Sequence, residues 1–222
     1  MDQHFFKESK KTIYFLIIFI LIGVPVFYHL VKVDDTLPIY NPADINPKLV
    51  DKSIRNKTKN HTISPFKLIN QNGDTITEKN FENKIYVADF FFTRCPTICI
   101  AMAYNMRELQ DYFKQDDDVM FLSHSVTPVR DSIPVLRAYA NDKGVIDGKW
   151  HITTGAKTDI YTLARQSYFA VLTEGNGDDN DFIHTENFVL IDKNKRIRGM
   201  YDGTKKENMQ KIIDDIQLLK SE

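Results

Sequence analysis

The sequence contains two cysteines, Cys95 and Cys99, which lie four residues apart. Residues at positions i and i+4 face the same side of a helix, so both sulfurs can converge where a loop enters a helix. The positive end of such a helix lowers thiol pKa values, and Arg94 acts in the same direction. Because a thiolate is both a metal ligand and a redox nucleophile, the pair predicts a metal site or a thiol–disulfide site at a solvent-facing mouth.

Two simpler interpretations of the cysteines compete with this one. The first is a pair of buried core cysteines, since free cysteines are often buried. The second is a purely structural disulfide, which would gain little loop entropy because the loop that it closes is so short. Neither interpretation explains why both cysteines share one helix start after an aromatic strand. Three residues separate the pair, rather than the two of a thioredoxin-type pair. This spacing leaves room for an ion between the sulfurs, while a disulfide remains possible.

The segments on both sides of the cysteines predict the elements that position them. Residues 85–92 read IYVADFFF, a run typical of a central buried strand. A helix is predicted to follow, with Pro96 in its first turn, where a missing N–H costs nothing. The apolar residues with helical spacing are Ile98, Met102, Met106, Leu109 and Phe113.

The rest of the domain alternates strands with helices, which predicts a layered α/β fold. A strand, a cysteine pair at a helix start, a late hairpin and a final helix follow each other in thioredoxin-like order. The other predicted elements are a hairpin over 66–77, strands at 119–126, 150–153 and 168–173, helices at 131–141 and 158–166, a hairpin over 188–201 and a helix from 204.

The segment FFFTRCPTIC, residues 90–99, resembles the F-x-F-T-x-C-P-x-x-C motif of the Sco/SenC copper chaperones. A second matching element is the segment 181–185, which leads into the strand predicted from Phe188. A third is the segment 201–204 before the last helix. The resemblance covers roughly residues 60–220 and implies a thioredoxin-like fold.

The resemblance also implies a copper site with Cys95, Cys99 and His184 as its ligands. Two thiolates and one imidazole suit Cu(I) and also accommodate Cu(II). Zinc is the main rival for such ligands, but structural zinc normally has four protein ligands. Outside the motif, His184 would be interpreted as a surface or core histidine. The partner that the resemblance implies is the copper-bearing subunit of cytochrome c oxidase.

The sequence departs from the family pattern at three positions. Thr127 stands where the family commonly has an aspartate before proline, and Ile183 stands where an aspartate often precedes the ligand histidine. Ile100 replaces a proline that often follows the second cysteine. No role of the missing carboxylates is transferred to this chain. His124, near the end of a predicted strand, is a further candidate for the same mouth, and the acidic loop 175–181 is either a solvated loop or a mobile flap.

Residues 12–31 contain no aspartate, glutamate, lysine or arginine, and their length matches the thickness of a bilayer when wound as a helix. They predict a single-pass transmembrane anchor; the alternative, a cleaved signal peptide, lacks its small-residue cleavage pattern. Lys7, Lys10 and Lys11 precede the span. By the positive-inside rule, residues 1–11 lie in the cytoplasm. The anchor is predicted in the inner (cell) membrane, with the globular domain periplasmic or otherwise extracytoplasmic.

Residues 32–63 carry prolines and asparagines without apolar periodicity, which predicts a linker that can lie partly on the domain. The globular domain is then predicted over 64–222. The net charge is −1, with 29 basic and 30 acidic side chains. This balance lacks the basic surplus of a nucleic-acid binder, so no nucleic-acid partner is predicted.

The leading hypothesis is a membrane-anchored copper chaperone that delivers copper during cytochrome c oxidase assembly. The alternative is a thiol–disulfide oxidoreductase acting on partner cysteines, with Cys95 and Cys99 as its redox-active pair and Cys95 as the attacking thiol. Whether the protein is an enzyme stays open at this point. A peroxiredoxin-type peroxidase ranks behind both, and a copper sensor would use the same ligands.

Overall fold

The structure is a computed structural model that describes residues 3–31, 36–171 and 185–222. It divides into two compact units, Met1–Thr36 and Leu37–Glu222. The predicted ligand His184 and the acidic loop 175–181 lie outside the described residues.

The first unit contains one helix, α1, over Gln3–Val31, with Pro25 inside it. Between Ile13 and Phe27 its large apolar side chains are exposed. The predicted span, residues 12–31, falls within this helix. Among the described residues, none of the helices combines the length and the apolar composition that a membrane crossing requires.

The second unit is built on a seven-stranded mixed sheet in its described residues, with the strand order β2-β1-β5-β4-β3-β6-β7. β3 pairs with β4, and β4 with β5, in parallel, while the other pairs are antiparallel. The three central strands β3, β4 and β5 are therefore joined by helical crossovers, whereas β1 and β2, and β6 and β7, pair as neighbours along the chain. The strands are β1 Lys67–Asn70, β2 Thr75–Thr77, β3 Ile85–Phe91, β4 Val119–Ser125, β5 Trp150–Thr154, β6 Asn187–Ile191 and β7 Ile197–Asp202.

Helices cover both faces of the sheet, so β3 and β4 are buried along their whole length. The helices are α2 Ile98–Tyr112, α3 Ile133–Lys143, α4 Lys157–Thr162 and α5 Glu207–Ser221; α4 continues into a π-helical turn at Leu163–Ser167, and two short 3-10 helices lie at Pro42–Asp44 and Glu78–Phe81.

The side chains of β3 alternate between two apolar clusters, as the period of a strand requires. Ile85, Val87 and Phe91 belong to the cluster that also contains the apolar residues of α2, α3 and α5. The intervening residues of β3 belong to the cluster that contains the apolar residues of α4. The cysteine pair belongs to the cluster that contains α2, so it lies on the α2 face of the sheet and not on the α4 face.

Residues 37–63 belong to the globular unit, although the sequence predicts a linker over 32–63. Ile45, Val50 and Ile63 are buried in the apolar cluster on the α4 face. The backbone N–H of Tyr40 also donates to the carbonyl of Ile197, in β7. The compact unit therefore begins at Leu37 rather than at residue 64, because these few apolar side chains pack on the sheet without any periodic pattern.

The strand predicted at 168–173 is absent from its described part, residues 168–171. The chain turns there: Phe169 has φ 52°, and the N–H of Ala170 donates to the carbonyl of Ala164 at 2.9 Å. The apolar run is buried because it packs against the sheet from the α4 side, not because it belongs to the sheet.

Candidate metal centre

The loop between β3 and α2 holds the first cysteine, and the first turn of α2 holds the second. Thr97 is the N-cap residue, so Cys99 is the second residue of the helix. Pro96 precedes the helix instead of lying in its first turn as predicted. Both cysteines are free thiols in the described structure.

The sulfur of Cys95 occupies a backbone-binding position at the start of the helix. The N–H of Cys99 donates to the Sγ atom of Cys95 at 3.5 Å. The first N–H groups of a helix have no partner inside it, and the Thr97 side chain makes no capping bond. The Cys95 sulfur therefore accepts from the helix where a capping oxygen usually would, which holds the two cysteines together.

Both cysteines are more enclosed than the predicted solvent-facing mouth. The exposed fraction is 7% for Cys95 and 5% for Cys99. They belong to the apolar cluster that also includes Phe91 and Met102. The helical spacing correctly placed both residues at one junction, but the aromatic and methionine side chains around it bury them.

The two thiols differ in acidity. Burial raises the pKa of Cys95, but hydrogen bonds from the backbone of Thr97 and Cys99 outweigh it, so the net pKa is lowered. For Cys99, burial dominates and raises the pKa to about 12, and the neighbouring Cys95 adds to the increase. Cys95 is thus the thiol that ionises first, as the sequence predicts for the residue nearer the positive helix end.

Two further ionisable side chains lie on the cysteine side of the sheet. Asp89, in β3, accepts a short hydrogen bond from Ser123, and burial raises its pKa to about 7. Burial also raises the pKa of Tyr139, and Asp89 and both cysteines add to that increase. Sequence analysis missed both residues, although an aspartate inside the apolar run 85–92 was a visible signal.

The loop before Cys95 is bound to a carboxyl group from the next crossover. Asp131 is fully buried and accepts hydrogen bonds from the N–H and the hydroxyl of Thr93, at 3.3 and 2.6 Å. The helix predicted at 131–141 corresponds to α3, which begins at Ile133 after Ser132. Ser132 is the N-cap residue but its side chain makes no capping bond, and Asp131 faces the cysteine loop instead.

His124 lies on the opposite face of the sheet from the cysteines. Its ring is close to those of Phe66, Phe90 and Tyr168, and its Nδ1 atom is 2.9 Å from the hydroxyl oxygen of Thr153. Burial lowers its pKa to about 3. The structure therefore does not bring this candidate to the cysteine pair.

His184 lies outside the described residues, so its distance to the sulfurs is not defined. The described residues contain no group of three or more histidine, cysteine or acidic side chains that could hold a metal ion. Two reduced sulfurs at one junction are nevertheless a donor set that fits a soft metal ion.

The strand that follows His184 leads to the cysteine end of the sheet. β6 runs antiparallel to β3, with Val189 opposite Ala88 and Ile191 opposite Tyr86. The N-terminal end of β6 therefore lies at the end of β3 that continues into the cysteine loop. Thr185, the residue after His184, is buried and its hydroxyl oxygen accepts from the N–H of Asn187 at 3.1 Å.

The sequence profile of the SCO1/SenC family matches residues 54–220. The chain belongs to the SCO1/SenC family. Its fold is correspondingly similar to that of a SCO1/SenC family lipoprotein from Bacillus anthracis, at 32% identity and a TM-score of 0.64, over 74% of this chain and 98% of that one. The predicted mixed α/β, thioredoxin-like fold is thereby confirmed.

Two other solved SCO1/SenC structures describe the chemistry of relatives. One is BsSco, a member of the Sco family of cytochrome c oxidase assembly proteins with a disulfide switch; it is 28% identical, with a TM-score of 0.62, over 73% of this chain and 95% of that one. The other is Arabidopsis thaliana ScoI with copper bound, 26% identical, with a TM-score of 0.56, over 69% of this chain and 97% of that one.

Proposed function

We propose that this SCO1/SenC protein is a copper chaperone that binds copper through Cys95, Cys99 and His184. It delivers the copper during cytochrome c oxidase assembly, to the copper-bearing subunit. Copper is the cargo in this proposal rather than a resident cofactor. The relatives described with copper bound, and as cytochrome c oxidase assembly proteins, support the metal and the process.

The observation that carries the proposal is the contact between the two halves of the cysteine pair. Both thiols are free, and the Cys95 sulfur already accepts the N–H of Cys99 at 3.5 Å. A soft cation that binds the Cys95 sulfur would therefore find the second thiol, Cys99, beside it in the first turn of α2. Thiolates favour Cu(I) over harder cations, which agrees with a monovalent copper cargo.

A third ligand is expected from the segment before β6. The pairing of β6 with β3 puts the N-terminal end of β6 at the end of the sheet where β3 continues towards Cys95, which supports this expectation. Imidazole is a ligand for both oxidation states of copper, so His184 completes a three-ligand set. Three ligands leave an open edge at which a ligand of the receiving protein can attack, and a delivery protein needs such an edge.

The first test is anaerobic titration of the reduced full-length protein with Cu(I) against a competing chelator. We expect one equivalent to bind, and Cys95→Ser, Cys99→Ser and His184→Ala each to weaken binding by at least about tenfold, as losing a direct or supporting ligand interaction does. His4→Ala, in the other compact unit, is the matched histidine control and should bind like the wild type. If the double Cys95→Ser, Cys99→Ser protein kept wild-type affinity, the assigned site would be wrong.

The second candidate function is thiol–disulfide exchange, and the unequal acidity of the two thiols favours it. The Cys95 thiolate would attack a partner disulfide, forming a mixed disulfide and releasing one partner thiolate. Cys99 would then attack the Cys95 sulfur, which forms the intramolecular disulfide and releases the second partner thiolate. His184→Ala separates the functions: copper binding should fall sharply while exchange with a model disulfide persists.

The location that we propose is the inner (cell) membrane, with α1 as a single-pass anchor and the domain outside the cytoplasm. Exposed apolar side chains from Ile13 to Phe27 are unfavourable in water, which supports an apolar environment for α1. Lys7, Lys10 and Lys11 favour a cytoplasmic N-terminus. Carbonate extraction of membranes tests the anchor, and release of the protein by carbonate would refute it. Protease treatment of cells with permeable outer layers tests the orientation, and a domain that stays protected would refute it.

A further inference from the structure

Asp131 anchors the segment that precedes the cysteine pair through hydrogen bonds to its carboxyl group. Its carboxyl group is fully buried between β4 and α3. Besides the two bonds from Thr93, it accepts hydrogen bonds from the hydroxyls of Ser125, at 2.5 Å, and Thr127, at 2.9 Å. The four donors are neutral groups: two from Thr93 in the cysteine loop, one from Ser125 at the end of β4 and one from Thr127 just after it. A buried carboxyl group with this many donors is a strong local constraint, because losing one donor leaves desolvated oxygen behind.

The anchor holds Thr93 at two points, its N–H and its hydroxyl, so the residue cannot rotate about its backbone without breaking a bond. Only Arg94 separates Thr93 from Cys95. The N–H of Cys95 donates to the carbonyl of Phe92 at 3.3 Å, which closes a tight turn around the anchored residue. Through this turn, the position of Thr93 determines where the Cys95 sulfur lies.

Cys99 does not depend on this anchor in the same way. It lies within α2, whose apolar side chains are packed in the cluster on that face of the sheet. Cys95 precedes the helix, and the Thr97 side chain makes no capping bond. From the helix side, the loop is held by the weak bond from the Cys99 N–H to the Cys95 sulfur, at 3.5 Å. Movement of the loop would therefore change the separation of the two sulfurs while leaving Cys99 in place.

We propose that Asp131 is a positioning residue for the cysteine pair, acting through Thr93 on the Cys95 sulfur. It holds Cys95 in the observed arrangement, in which its sulfur contacts the backbone of Cys99. Its effect on copper binding rests on the proposed function, whereas its effect on disulfide formation does not. The departure at Thr127 fits this role, because Thr127 donates to the carboxyl group of Asp131 instead of supplying a carboxyl group itself.

The test compares Thr93→Val with Thr204→Val in the full-length protein. Thr204 is the matched control, because its N–H and hydroxyl also donate to a single aspartate, Asp202, at 3.0 and 2.5 Å. The disulfide–dithiol equilibrium is measured in glutathione buffers, followed by Cu(I) affinity. Thr93→Val should lower the equilibrium constant for disulfide formation about three- to tenfold, because a loosened Cys95 must be ordered again. Thr204→Val and Thr93→Ser should stay within about twofold of the wild type, a difference well below one lost hydrogen bond.

The measurements distinguish this proposal from the proposed function. An equal change in Thr93→Val and Thr204→Val, or a wild-type equilibrium in folded Thr93→Val, would overturn the positioning role. Asp131→Asn provides a second variant and should follow Thr93→Val. If the wild type bound no Cu(I) while Thr93→Val still shifted the glutathione equilibrium, the copper proposal would fail and the positioning role would stand.

Discussion

At the scale of single residues, the cysteine face of the sheet concentrates groups whose protonation depends on burial. Cys95 has a lowered pKa because backbone N–H groups at the helix start donate to its sulfur, and Cys99 has a raised pKa because burial outweighs its backbone hydrogen bond at Phe92. Asp89 shares this face and accepts a hydrogen bond from the hydroxyl of Ser123. The Trp150 indole N–H donates to the same hydroxyl oxygen at 2.8 Å, so a fluorescent side chain is part of this chain of hydrogen bonds.

The first prediction concerns Asp89→Asn. Burial raises the pKa of Asp89 from 3.8 to about 7, so between these pH values the folded protein binds a proton that the unfolded chain has lost. The stability contributed by the neutral carboxyl group is complete below pH 4 and is lost as pH rises to about 7. Asparagine keeps an acceptor for Ser123 without this loss, so Asp89→Asn should raise the free energy of unfolding by about 2 kcal/mol at pH 8.

Urea unfolding of the reduced protein, followed by Trp150 fluorescence, measures this difference. The gain should shrink towards zero below pH 4, where the carboxyl group becomes protonated in both states. An equal gain at both pH values would show that Asn acts through packing and not through the charge. No gain at pH 8 would contradict the raised pKa of Asp89.

At the scale of elements, the site depends on how β6 and the turn before α5 pack beside β3 and α2. The side-chain amide of Asn105, on α2, donates to the carbonyl of Gly203 at 2.8 Å. Gly203 lies directly against the Phe188 ring of β6, so no side chain fits at this position. This contact ties the cysteine helix to the strand that follows His184.

The second prediction concerns Gly203→Ala. The added Cβ would lie 2.7 Å from two atoms of the Phe188 ring, so the ring or the turn must shift. The backbone of Gly203 does not have a positive φ, so the effect is steric. We expect a loss of about 1–3 kcal/mol in the free energy of unfolding, the usual range for overpacking.

A double-mutant cycle with Phe188→Leu checks the cause of that loss. Leucine lacks the ring atoms that would clash, so Gly203→Ala should cost less in the Phe188→Leu background than in the wild type. Urea unfolding of the four proteins measures the coupling. Strictly additive losses would mean that Gly203→Ala acts elsewhere in the turn.

At the scale of the whole molecule, the segment 37–63 completes the globular unit. Its apolar side chains fill the α4 face of the sheet, and its start is fixed by the buried guanidinium of Arg198. That group donates to the carbonyls of Leu37 and Pro38 and pairs with Asp192 and Glu222. The start of the unit and its C-terminus are therefore bound to the same side chain on β7.

The third prediction compares a chain that begins at Leu37 with one that begins at Ser64. The shorter chain lacks the buried Ile45, Val50 and Ile63 and leaves Arg198 without two of its acceptors. We expect its free energy of unfolding to be lower by about 5 kcal/mol, since each buried aliphatic side chain contributes about 1.5–3 kcal/mol, less the entropy regained.

Urea unfolding of the two chains, both in the reduced state, measures the difference. Substituting Lys48, an exposed residue of the same segment, with alanine in the longer chain is the control and should change stability by less than about 0.5 kcal/mol. Equal free energies of unfolding for the two chains would mean that residues 37–63 do not stabilise the domain.

The sequence alone determined the features that depend on local pattern. An unbroken apolar run predicted the central strand β3, and helical spacing predicted α2 with Cys95 and Cys99 at its start. Both features depend on the pattern of apolar residues close together in the chain, so they can be predicted without knowing which elements pack against them. The tertiary structure decided what depends on residues distant in the chain: the burial of both sulfurs, the contact of Asp131 with Thr93, and the packing of residues 37–63. A carboxyl group 38 residues from its partner leaves no periodic signal, because the bond exists only once the two loops meet at the end of the sheet.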